Sequence, residues 1–294
     1  MCIRDSLREE RLKILITNDD GVDSPGIHEL AVQIEEAGYE AIVVAPDHNA
    51  SGTGTSVSGI ASNNPINFEV SEIKNFSGEV YGVAGAPALC VLAAYMGAFG
   101  DSPDIVVSGI NAGLNPGRAV AHSGTIGAGI AGQNFGMRSI AISVDVTDPW
   151  YWSSAAAITV GMLPHLIEGP SHTLLNLNVP GLPLDEIKGV RWAALAPYGT
   201  FKGTMVQEKN QLVMKQQPTE YSAEDYTDIG TVKAGYAALT SLHASAEVWG
   251  THGKPGEVVQ PEHGVPAASA GHELHPQRAI FLPSRYDPKT YYSQ

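Results

Sequence analysis

The sequence predicts an α/β fold built on a mostly parallel β-sheet, and two observations carry that reading. The first is a strand–helix–strand run between Lys13 and Pro46. The second is the recurrence of short apolar runs and small-residue helical stretches as far as Leu242. Such alternation implies parallel neighbours, which need a crossover between them.

Lys13–Thr17 is a short apolar run with the pattern of a buried strand. Ser24-Pro25 then offers an N-cap and a proline at the first helical position. Ile27, Leu30, Ala31 and Ile34 mark one face of a helix that stops at Gly38. A second strand, Tyr39–Ala45, ends at Pro46. Pro87–Phe99 reads as an alanine-rich helix, Asp104–Val107 as a strand, Thr125–Phe135 as a helix of small residues and Ser139–Val144 as a strand. Tyr151–Ile167 is a longer helix whose end Gly161 and Pro164 weaken. Leu174–Val179, Gly189–Ala196 and Tyr236–Leu242 are further strands, and Thr204–Gln217 is a β-hairpin around Glu208–Asn210. From about Thr251, Pro, Gly, His and Ala dominate without periodicity. Residues 13–250 are therefore the expected α/β domain, 1–12 a non-native or disordered head and 251–294 an irregular tail.

Of 294 residues, 43% are hydrophobic and 16% charged, enough material for a sizeable core. Lys+Arg number 17 against 31 Asp+Glu, a net charge of −14. That balance argues against a nucleic-acid duplex or an anionic membrane as partner. Two cysteines specify no disulfide framework, so a reducing, cytoplasmic setting is expected. No run of about 18 apolar residues is present to span a membrane.

In an open parallel sheet, ligands collect beyond the carboxyl ends of the strands. Three such ends are unusually polar: Thr17 to Gly21, Pro46 to Gly54, and Ser108 to Gly117. Adjacent carboxylates repel, so Asp19-Asp20 reads either as a solvated turn or as one side of a cation site. Carboxylate, hydroxyl and amide oxygens form a hard set suited to Mg²⁺ or Mn²⁺ rather than zinc. Ser123-Gly124-Thr125 stands just ahead of the small-residue helix, where it is either a plain cap or a phosphate site. A cation and an anion cradle, without a cofactor fingerprint, point to phosphate-ester hydrolysis.

These residues resemble the survival-protein-E (SurE) family of metal-dependent 5′/3′-nucleotidases. The likeness is carried by ILITNDDGVDSPGI (Ile14–Ile27), APDHNASGTG (Ala45–Gly54) and DIVVSGINAGLNPG (Asp104–Gly117). Ser123–Thr125, LNLNVP (Leu175–Pro180), Thr227-Asp228 and Gly235-Tyr236 extend it. The resemblance implies a Rossmann-like three-layer domain with a β-hairpin extension used in forming a homodimer or homotetramer. It implies a cytoplasmic enzyme that removes phosphate from nucleoside 5′- and 3′-monophosphates, or another small phosphomonoester, with one divalent cation per subunit. The implied metal ligands are Asp19, Asp20, Ser51 and Asn111, with Asp19 and Asp20 also catalytic. Asn115, Ser123, Gly124 and Thr125 are the implied phosphate and substrate contacts. The chain departs from the family pattern at Ala86, Leu89, Ala131 and the loop Pro116–His122.

Other features have plainer readings. His272 and His275 lack the spacing of a zinc helix, and Cys90 reads as a small core residue. His122 is a loop histidine, or alternatively an acid that protonates a leaving alkoxide. Arg118 reads equally as a solvated charge or a phosphate contact. Trp150-Tyr151-Trp152 reads as helix-start packing, with base stacking the alternative. A haloacid-dehalogenase-type phosphatase would need two acids separated by one residue, and Asp19 and Asp20 are adjacent. A non-catalytic metal- and phosphate-binding homologue is the remaining alternative.

Overall fold

A computed structural model describes residues 12–58, 60, 65–197, 201–218 and 222–244. The elements run β1 (Lys13–Thr17), α1 (Pro25–Glu36), β2 (Glu40–Pro46), β3 (Phe68–Ser71), β4 (Val80–Val83), α2 (Pro87–Tyr95) and β5 (Ile105–Ala112). They continue with α3 (Gly124–Asn134), β6 (Arg138–Val144), α4 (Trp152–Glu168), β7 (Leu174–Val179), β8 (Val190–Trp192), β9 (Phe201–Glu208), β10 (Gln211–Pro218), α5 (Asp228–Lys233) and β11 (Ala237–Leu242).

Nine strands form one sheet in the order β3-β4-β2-β1-β5-β6-β7-β11-β8. Among these neighbours only β3–β4 and β7–β11 are antiparallel, so the mostly parallel sheet is as the sequence predicts. Side chains alternate across each strand and fill two cores. Ile14 and Ile16 of β1 pack with α1 and α4 on one face, while Leu15 packs with Cys90, Val91 and Ala128 of α2 and α3 on the other. A three-layer α/β/α arrangement results. β9 and β10 form a separate antiparallel pair that turns at Lys209-Asn210.

Several boundaries differ from the sequence reading. β5 does not stop at Val107 but runs to Ala112, with a register irregularity between Ser108 and Asn111. Ladder bonds use backbone groups only, so a polar sequence does not end a strand. Helix α2 ends at Tyr95 rather than Phe99, because Gly97 takes a left-handed φ of 82°. β3, β4 and α5 carried no periodic signal, being four, four and six residues long. β8 keeps only three exposed residues of the run expected over Gly189–Ala196. The head 1–11, the tail 251–294 and its His272 and His275 lie outside the described residues.

Candidate functional site

The turn after β1 is shaped by a buried asparagine. Asn18 Nδ2 donates to the Gly21 carbonyl (2.9 Å) and to Ser24 Oγ (2.7 Å), and its Oδ1 accepts from Gly21 N–H (3.2 Å). Three bonds from one side chain give Asp19 and Asp20 a fixed backbone.

Asp19 is buried, 3% exposed. Its Oδ1 accepts from Thr125 Oγ1 at 2.7 Å, one residue into α3. The positive end of the helix dipole suits a carboxylate here. The approach is tight: a Cβ at Gly124 would lie 2.8 Å from Asp19 Cβ, and one at Gly127 would lie 2.0 Å from the Gly54 carbonyl oxygen. The glycines at 124 and 127 are thus explained by the Asp19 side chain and the Gly54 backbone, which pass close to α3. Ser123 caps the helix, its Oγ accepting from Ile126 N–H at 3.2 Å. The Gly124 and Thr125 amides, which precede the capped one, remain to face an anion.

Asp20 is only partly buried, and its Oδ2 accepts from the Ala112 N–H at 3.1 Å. Burial pushes its carboxyl above the ordinary range; the Ala112 bond lowers it and the Asp19 charge raises it further. The same hydrogen bond brings Asn111, the neighbour of Ala112, to the carboxylates. Asn111 Nδ2 donates to the Gly113 carbonyl (2.6 Å), so its amide oxygen is what it can offer a ligand. Ser51 arrives through the backbone, since Ala50 N–H donates to the Asp19 carbonyl at 2.7 Å. Ser51 itself is exposed.

Asn115 is anchored in a buried polar cluster. Its N–H donates to Asn178 Oδ1 (2.8 Å), its Nδ2 donates to Ser143 Oγ (2.9 Å), and its carbonyl accepts from Asn176 Nδ2 (2.9 Å). The loop that follows is held by Asp228 at the start of α5. Asp228 Oδ2 accepts from Gly117 N–H (2.7 Å), and Oδ1 accepts from Ala196 N–H (3.0 Å) and Ile229 N–H (2.8 Å). His122 and Arg118 lie exposed on this loop. The departures at Ala86 and Leu89 fall at the start of α2, where Leu89 is buried and Ala86 is the N-cap residue.

With this geometry in place, comparison with known proteins is decisive for the family. The family model for survival protein SurE matches residues 14–199. The chain belongs to the SurE family. A 5′/3′-nucleotidase SurE of Erwinia tasmaniensis is 36% identical over 238 residues, covering 79% of this chain and 90% of that protein. One of Escherichia coli O1:K1 is 37% identical over 246 residues, again covering 79% and 90%. The crystal structure of the SurE protein from Aquifex aeolicus superposes with a TM-score of 0.66 at 32% identity, covering 79% of this chain and 93% of that one.

Within this SurE chain, sequence reasoning missed the residues that hold the site from behind. Asn18, Ser143, Asn176, Asn178 and Asp228 are all buried and polar. The signal was present for two of them: asparagines at alternate positions of an apolar strand share one face. No group of three or more His, Cys, Asp or Glu able to hold an ion occurs among the described residues. The expected donors are two carboxylates, Asp19 and Asp20, with the neutral oxygens of Ser51 and Asn111 for the rest. That set fits a hard divalent cation, whose charge would offset both the burial and the lesser Asp19 repulsion that raise the Asp20 carboxyl.

Proposed function

We propose that this chain is a metal-dependent phosphomonoesterase that hydrolyses nucleoside 5′-monophosphates, and by the same chemistry 3′-monophosphates, to nucleoside and phosphate. The observation that carries it is Asp19, fixed by Thr125 at the N-terminus of α3, with Asp20 tied to the strand end that presents Asn111. The relatives described above, both 5′/3′-nucleotidases, support the same reaction.

Asp19, Asp20, Ser51 and Asn111 would hold the cation, Mg²⁺ or Mn²⁺ by donor type. When bound, it polarises the phosphoryl oxygen and makes water more acidic. The chain's own groups do the rest. The amides of Gly124 and Thr125 at the start of α3 bind phosphate oxygens, and Asn115 borders the phosphate. Asp19 orients a water for in-line attack and accepts its proton. The new bond joins the water oxygen to phosphorus, and the bond from phosphorus to the sugar oxygen breaks. That oxygen takes a proton from water or from His122. Among the described residues no helix is long and apolar enough to cross a membrane. The proposed setting is cytoplasmic and the assembly a homodimer or homotetramer formed through the β9–β10 hairpin.

The test is phosphate release from 5′- and 3′-nucleotides, polyphosphate and generic phosphomonoesters with Mg²⁺, Mn²⁺ or chelator. Metal-dependent turnover of nucleotides is expected, and Asp20→Asn should abolish it while circular dichroism stays native. Undiminished turnover in Asp20→Asn would sink the assignment. Absence of any metal-dependent hydrolysis would leave a binding homologue instead.

A further inference from the structure

The connection between β6 and α4 carries Trp150-Tyr151-Trp152, and nothing assigned above uses it. Its two indoles are stacked, with centroids 4.7 Å apart and planes 9° from parallel. Trp152 is the anchored member, partly buried against the core that contains α1. Its Cζ3 lies 3.1 Å from where a Cβ would stand on Gly26, and that position is only 2.4 Å from the Ile110 carbonyl oxygen. Trp152 therefore packs beside Gly26 of α1, and Gly26 in turn lies against the Ile110 carbonyl, one residue before Asn111. At the end of β6, just before the connection, the Val144 carbonyl accepts from Gly113 N–H at 3.0 Å. Val146 Cγ2 stands 3.6 Å from the Cβ position of Gly113. The connection is thus laid along the Asn111–Gly113 turn, on the sheet edge that holds Asp19 and Asp20.

Trp150 is the outer member, 36% exposed, with one indole face on Trp152. A preformed aromatic stack at a ligand-binding edge suits one more flat ring, because little ordering remains to be done on binding. Charge sets the direction. Asp145 and Asp148 precede the pair in the same connection, so its charge disfavours a phosphate and favours a neutral ring. The start of α3 has the opposite preference. We propose that Trp150 is the stacking surface for the substrate's nucleobase, with Trp152 as its positioning residue. This rests on the nucleotidase reading above and adds the base subsite to it.

The experiment compares adenosine 5′-monophosphate with ribose 5-phosphate, which has the same phosphate and sugar but no base. Trp150→Ala is expected to lower kcat/KM for the nucleotide roughly 5- to 150-fold and leave ribose 5-phosphate unchanged. Trp150→Phe, which keeps a π-face, should retain most of the nucleotide activity. Equal losses on both substrates, or no loss on the nucleotide, would overturn the proposal. If wild-type protein hydrolyses neither compound, the nucleotidase reading fails, and adenosine alone decides the stacking surface. Saturable quenching of tryptophan fluorescence that vanishes in Trp150→Ala would then support it; no quenching would refute it.

Discussion

Replacing Asp228 tests how the substrate loop is held. Its carboxylate accepts three backbone N–H groups, from Gly117, Ala196 and Ile229, and the side chain is fully buried. A buried donor left without an acceptor costs about 1–3 kcal/mol. Asp228→Ala orphans all three, so a loss of about 3–9 kcal/mol is expected against a typical domain stability of about 5–15 kcal/mol. Asp228→Asn can keep its oxygen where Oδ1 stands and retain two of the bonds. It then turns an amide N–H₂ toward Gly117, and only about 1–3 kcal/mol should be lost. At this chain length that is a fall in Tm of roughly 2–12 °C for Asn and more than about 6 °C for Ala.

Thermal and urea unfolding followed by circular dichroism read both variants. The pH dependence has a definite sign. Burial pushes the Asp228 carboxyl above the ordinary range, opposed by its backbone donors. The folded state therefore holds this proton more tightly than the unfolded one. The resulting stability is full below the unfolded pKa of about 3.9 and is lost as pH rises through the folded value. Wild type should show a steeper decline in the acid range than Asp228→Asn, which keeps only the Asp20 contribution of the same sign. Equal stability of the Ala and Asn variants would refute the reasoning, because it would mean that the number of satisfied donors is irrelevant.

Gly124→Ala would ordinarily stabilise a helix by about 1 kcal/mol. Here the new Cβ would meet Asp19 Cβ at 2.8 Å, so kcat/KM should fall about 100-fold with little change in Tm; unchanged kcat/KM would contradict the close approach. Chelation with EDTA should abolish turnover, with recovery on adding Mn²⁺. Independently of activity, Mn²⁺ at about 100 times its Kd should stabilise wild type by about 2.7 kcal/mol and Asp20→Asn by much less, as unfolding curves will show. Met205 and Met214 face each other across the hairpin and are 57% and 58% exposed. Met205→Glu with Met214→Glu should shift the mass measured by light scattering toward monomer, and an unchanged mass would remove the hairpin from the interface.

Much of this molecule was legible beforehand, for reasons that differ by element. β1 and β7 were read with their observed ends: β1 is a continuous apolar run of the kind a doubly covered parallel strand requires, and β7 is a short leucine-rich run closed by Pro180. α1 was read from one apolar face behind Ser24-Pro25. The early end of α2 was not legible, since it depends on where Gly97 takes a left-handed conformation. Nor was the extension of β5 to Ala112, which brings Asn111 opposite Ser143 in the ladder.

By itself, the sequence determined the mostly parallel α/β class, the family and the identity of the polar strand ends. Periodicity and oxygen donors are local properties, carried by the residues wherever they fold. Only the tertiary structure decided that Thr125 spends its hydroxyl on Asp19 and that Ala112 joins Asp20 to the Asn111 turn. It also decided that Asn176 and Asn178 hold Asn115 across about 60 residues of chain, and that Asp228 grips Gly117. Those contacts join segments distant in sequence, and their partners are set by strand order and helix approach. No local pattern records them.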